Sequence, residues 1–274
     1  MPAPRLRFPA ALVAVLLAPA AGAIAQTRPL LTEPAVTAPT GTLVLETGFD
    51  VVASERSYVT GVDRTRWDGP LLRLVYSPAA SVELDFEWVA RTGVAGEKGR
   101  GDIQSSDWGD VTLRAKWRIA EGKGRRPTVG ARFGVVLPQT SFEDEEFNPL
   151  GLGPNTLRAF VEGLLTLPVG RGRIHANAGL FLHDEVFRPH DQRDFLSYAL
   201  AFEWPAGSRL SLLAEVTGRT GDDMPGAEER SEGRAGLRFG RGRLRLDAAV
   251  RRGLSAADGT WGATAGLAWT ARQR

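Results

Sequence analysis

The chain has 274 residues, 43% of them apolar, with 34 basic and 32 acidic side chains and no cysteine. That is long enough for one large domain and too apolar for a disordered chain, and the missing cysteines exclude a disulfide scaffold. The first residues have the three parts of a secretory signal: Arg5 and Arg7, the apolar run 10–17, and the small-residue end Ala23-Ile24-Ala25. A signal peptide over 1–25 removes two basic residues and no acidic one, so the mature charges balance and the basic sequence pI of about 9.3 is no argument for nucleic acid. Beyond it no apolar run reaches the length of a membrane helix, and the mean hydropathy is −0.16.

Residues 26–40 hold several prolines and no periodicity, which predicts a flexible periplasmic lead-in. From 41 to 271 the pattern changes to alternation. Residues 41–52 set Leu43, Leu45, Phe49 and Val51 against Glu46 and Asp50. A polar loop over 53–66 precedes a strand with Leu72, Leu74 and Tyr76 outward and Arg73 inward. The segment 81–119 is the clearest. Val82, Leu84, Phe86 and Trp88 share one face against Glu83, Asp85 and Glu87; Val111, Leu113, Ala115 and Trp117 share one against Arg114, Lys116 and Arg118. Side chains alternate across a strand, so each segment has an apolar wall and a charged wall. Antiparallel pairing of the two sets acids opposite bases, with Asp85 expected near Lys116.

The pattern continues over 128–137 with Arg132 inward, and over 156–167 with Arg158 and Glu162 inward. In 173–183, His175, Asn177, Phe181 and His183 oppose Ile174, Ala176, Ala178, Leu180 and Leu182. Residues 195–204 carry Leu196, Tyr198, Leu200, Phe202 and Trp204 outward; 210–219 turn Glu215 inward. The segments 234–239 and 244–251 place Arg234, Arg238, Arg245 and Asp247 inward, and 261–270 close the chain with Trp261 and Trp269 outward. Twelve segments of about ten residues, joined by alternately short and long connections, predict an all-β transmembrane up-and-down barrel of the bacterial outer membrane. Its short turns and both termini are periplasmic. In that register Tyr76, Trp117, Trp204 and Trp269 fall at one rim and Trp88 and Trp261 at the other, forming two aromatic girdles.

Three short motifs then carry a family likeness: Trp108-Gly109-Asp110 with Lys116 beyond it, Gly134-Val135-Val136-Leu137-Pro138 before a polar loop, and His175-Ala176-Asn177-Ala178-Gly179. Over most of its mature length the chain resembles the outer-membrane transporters grouped as meta-pathway phenol degradation proteins. The resemblance implies uptake of small aromatic or other hydrophobic compounds, and it singles out no functional residue.

The inward charges admit two readings: acids and bases on different walls set a transverse field across a pore, or they pair and fill a closed interior. His183 and His190, with Asp184, Glu185 and Asp191, have the residue types of a metal site, but nothing in their spacing enforces one, so they read as solvated loop residues. The acidic run 143–146 lacks the ligand spacing of a calcium loop and reads as a solvated loop that can meet lipopolysaccharide. A lipid-modifying barrel enzyme needs a hydroxyl nucleophile and a histidine at the lipid-facing rim. None of His175, His183 and His190 is outward; Ser141 and Asn155 lie near the outer rim with nothing to fix them beside His183. The reading is a non-enzymatic channel or transporter without cofactor or metal. A structural or adhesive barrel is the alternative. The partners this implies are outer-membrane lipid and lipopolysaccharide, the barrel-assembly machinery and a small solute.

Overall fold

The computed structural model describes residues 28–57, 61–98, 101–139, 151–153, 156–184, 191–221 and 228–272. The signal peptide 1–25, the acidic run 143–146, Ser141, Asn155, Glu185 and His190 lie outside them. The strands are β1 (Thr42–Arg56), β2 (Asp63–Ala79), β3 (Val82–Val89), β4 (Thr92–Lys98), β5 (Gly101–Asp107), β6 (Val111–Ala120), β7 (Thr128–Leu137), β8 (Arg158–Val169), β9 (Gly172–Asp184), β10 (Gln192–Pro205), β11 (Leu210–Arg219), β12 (Arg230–Arg241), β13 (Leu244–Gly253) and β14 (Trp261–Arg272). Each barrel strand pairs antiparallel with its neighbours, and β1 pairs with both β2 and β14. The result is a closed twelve-strand barrel.

The remaining pair, β4 and β5, prolongs β3 and β6 beyond the barrel wall. β4 pairs with the outer end of β2, from Thr65–Asp68, where the sequence reading had a polar loop over 53–66. The ladder survives the junction, since Val89 N–H donates to the Asp110 carbonyl at 3.2 Å and Gly109 N–H to Val89 at 2.9 Å. Gly109 is required there because a Cβ would stand 2.5 Å from that of Val89. Trp108 beside it is exposed and stacks on Trp88, with ring centroids 5.5 Å apart.

Large apolar side chains point away from the barrel on every wall: Leu84 is 48% exposed, Phe133 56%, Leu200 57% and Val250 63%. A water-soluble barrel with such a belt would aggregate, whereas in a bilayer the same belt is buried in hydrocarbon. Short links such as Ala79 to Val82 and Val169 to Gly172 share one end with the start of β1, and the long connections share the other. Closure leaves no unpaired edge among the membrane-crossing strands. We expect the mature protein to migrate faster unboiled than boiled in a detergent gel; identical mobility would mean the ladder does not resist detergent.

Residues 28–39 correct the sequence reading. They are not a flexible periplasmic lead-in but a segment threaded through the lumen, with Leu30, Thr32, Glu33, Ala35 and Ala38 buried. The three prolines and missing periodicity do exclude a strand. They do not distinguish an extended segment held by side chains from one held by nothing.

Candidate functional site: the lumen and its internal segment

The inward faces of the strands supply hydrogen-bond partners for a backbone that has no ladder of its own. At one end of the segment Arg238 donates to the Arg28 carbonyl at 2.6 Å and Arg234 to Pro29 at 2.7 Å. Glu215 accepts the N–H groups of Leu31 and Thr32 at 2.8 and 2.9 Å. Asn177 closes a reciprocal pair with Glu33, accepting its N–H at 2.7 Å and donating to its carbonyl at 2.8 Å. Further on, Thr166 Oγ1 accepts from Ala35 at 2.8 Å and Glu83 from Ala38 at 2.5 Å. Arg28 itself lies flat on Gly48 and Gly266, cross-strand neighbours at the β1–β14 seam, where any Cβ would collide with its guanidinium. From there it donates to Thr264 Oγ1 at 2.8 Å and to the Ala265 carbonyl at 3.0 Å.

Glu33 is the centre of the inner charge network. Its carboxylate meets Lys116 at 2.7 Å, Arg132 at 3.1 Å and Arg73 at 3.4 Å. Those cations come from β6, β7 and β2, so one side chain of the segment ties three walls together. Arg73 also contacts Asp85 and, at 3.4 Å, Glu46; Arg114 bridges Asp85 at 3.4 Å and Glu87 at 2.8 Å; Lys116 contacts Glu83. The ladder explains a difference from the sequence expectation: Glu83 lies opposite Lys116, and Asp85 opposite Arg114, not Lys116.

The other inward residues separate into three places. Arg132 and Glu162 pair at mid-wall, with Arg132 Nε donating at 2.9 Å. Arg118 sits at the periplasmic end, 3.2 Å from Glu121, and Arg158 contacts Asp110 towards the outer end. Near the closure Arg234 meets Glu232 at 2.7 Å, Asp247 lies 3.6 Å from Arg28, and Arg245 lies over Gly240. Acids and bases are therefore interleaved as pairs, and the separate-walls reading does not describe this interior. Of the girdle residues, Trp117 and Trp261 are exposed, as are Trp204 and Trp269; Tyr76 and Trp88 are half-buried.

Two histidines also moved. His183 is not a solvated loop residue: it is buried on β9, its ring centroid 6.3 Å from Phe181 and 5.0 Å from Phe195. His175 stands between Thr166 Oγ1, 3.0 Å from Nδ1, and Glu203, 3.7 Å from Nε2. A hydroxyl, an imidazole and a carboxylate in that order suggest nucleophilic catalysis. Here the hydroxyl already accepts from Ala35, and both Thr166 and His175 are buried under the segment. The trio holds the segment. Among the described residues no group of three or more potential metal ligands comes together.

Arg28, Leu31, Glu33, Glu46, Glu203 and the lumenal phenylalanines are what sequence reasoning missed as site residues. The available signal was small: inward parity for Phe160, Phe181 and Phe195, and a lone acid among prolines for Glu33.

No family model and no curated protein sequence matches the chain. Solved structures do. A crystallised outer membrane channel from Pseudomonas putida F1 is similar at 15% identity, covering 86% of this chain and 97% of its own, with a TM-score of 0.63. The NanC porin is similar at 8% identity, covering 85% of this chain and 100% of its own, with a TM-score of 0.50. At such identities the likeness is one of fold. Closed ladder, outward apolar belt and these neighbours agree that the chain is a bacterial outer-membrane β-barrel.

Proposed function

We propose that this barrel is a channel or transporter for small compounds, with residues 28–39 as the part of it that changes when solute passes. The observation that carries the reading is the chemistry of the segment's attachment. It is held by hydrogen bonds and ion pairs to wall side chains, with only Leu30 joining an apolar cluster, formed with Ala201 and Leu213. Water can replace such bonds at a net cost of about 0.5–1.5 kcal/mol each, so the segment can shift without exposing a core. A purely structural barrel gains nothing from a threaded backbone where inward side chains could meet directly. The likeness to a channel and a porin, and the resemblance to phenol-pathway transporters, support the same class and favour aromatic or hydrophobic solutes.

Planar-bilayer conductance tests it. The full mature chain should conduct weakly, and deletion of residues 28–38 should raise conductance severalfold. If neither passes ions or solutes in liposomes, the barrel is structural or adhesive.

A further inference from the structure

On the outer side of the segment the lumen opens into a cavity of about 480 Å³, within the range of small-molecule pockets. It joins a second of about 310 Å³, the two sharing Glu55, Arg158, His183, Arg219 and Arg230. Three features distinguish this vestibule from a merely polar pore. Its wall carries an aromatic row: Phe160, Phe181 and Phe195 are direct cross-strand neighbours on β8, β9 and β10. Phe160 and Phe181 stack at 4.8 Å, and Phe195 meets the edge of His183. A guanidinium lies at each end of the row, Arg132 over Phe160 at 5.5 Å and Arg219 over Phe195 at 4.1 Å.

The second feature is Leu31. The internal segment buries its neighbours Leu30 and Thr32 yet leaves Leu31 51% exposed, lining the cavity together with Phe181. An apolar side chain presented to a lumen is a cost unless something apolar rests on it. The third is charge. The two cavities together are lined by nine arginines against six carboxylates, so the vestibule draws anions.

We propose that this vestibule binds a small aromatic carboxylate: the ring rests on Phe181 and Leu31, and the carboxylate meets Arg158 and Arg219, which line both cavities on either side of His183. Aromatic rings favour stacked or edge-on partners over saturated ones. The guanidinium fork matches a carboxylate in two parallel bonds, as it does not match a hydroxyl. The proposal rests on the transport reading and narrows it, since the site would be where solute is selected before it meets the segment.

The test is equilibrium binding to the folded, full mature chain in detergent, with benzoate as the probe and benzyl alcohol and cyclohexanecarboxylate as comparators. Benzoate should saturate a single site, with both comparators about tenfold weaker or more. Phe181→Ala and Arg219→Gln should each weaken benzoate about tenfold. Unboiled gel mobility certifies each variant as folded, and Phe181→Leu replaces Phe181→Ala should that one not fold. Benzoate that never saturates, comparators that bind equally, or folded variants that bind like the parent would overturn the site. Bilayer conductance of the same preparations keeps the two readings apart. Conductance without saturable benzoate removes the site and leaves the channel; saturable benzoate without conductance supports the site and removes the channel.

Discussion

Replacing Arg73 by methionine should lower the unfolding free energy of the barrel by about 3–5 kcal/mol, the cost of removing one partner from a buried ion network. Arg73 is 8% exposed and faces three carboxylates at once, those of Glu33, Glu46 and Asp85. Methionine keeps the bulk but leaves those acids short of a cation in a place water reaches poorly. Arg73→Lys should recover only part of the loss, because a single ammonium cannot serve three oxygens as a planar fork does. Exposed Arg91, which bonds only Ser106, is the comparison, and Arg91→Met should change stability by less than about 0.5 kcal/mol. Urea unfolding in lipid vesicles reads all three. A loss at Arg73 no larger than at Arg91 would mean the inner network is solvated like surface pairs.

The second large effect belongs to the opposite face. Leu200→Arg should cost about 2–4 kcal/mol, the penalty for arginine at the midplane of a barrel's lipid face. Leu200 is 57% exposed and paired between Ala176 and Val216. It stands four residues from Trp204, roughly 10 Å of height on a tilted strand. No inward partner can rescue it, since one residue's step puts a side chain on the other side of the wall. Ala199→Arg, one position along and inward, should lack the lipid penalty. Equal costs at both positions would contradict the assigned faces.

Those two predictions rest on information of different kinds. The lipid face was legible without coordinates, because alternation is local. Leu84 against Asp85, or Leu200 against Ala201, declares its side through its neighbours alone, and twelve repeats of the same alternation leave a closed barrel as the arrangement without a bare edge. Register was less legible. The charged set of β3 can slide by two residues against that of β6 and still place acids beside bases, which is how Asp85 came to be expected opposite Lys116. The turn and the break at Gly109 select Arg114 instead.

What sequence determined by itself, then, was every property with a period of two: strand number, wall polarity, and the sorting of Tyr76, Trp117, Trp204 and Trp269 from Trp88 and Trp261. Tertiary structure alone decided the contents of the lumen. Glu33 has no periodic neighbour to reveal its partners, and they lie 83, 40 and 99 residues away in Lys116, Arg73 and Arg132. A segment without a ladder takes its conformation from walls that only the closed barrel brings together. Phe160, Phe181 and Phe195 likewise form a surface because three strands align them at one height, which no one of the three segments encodes.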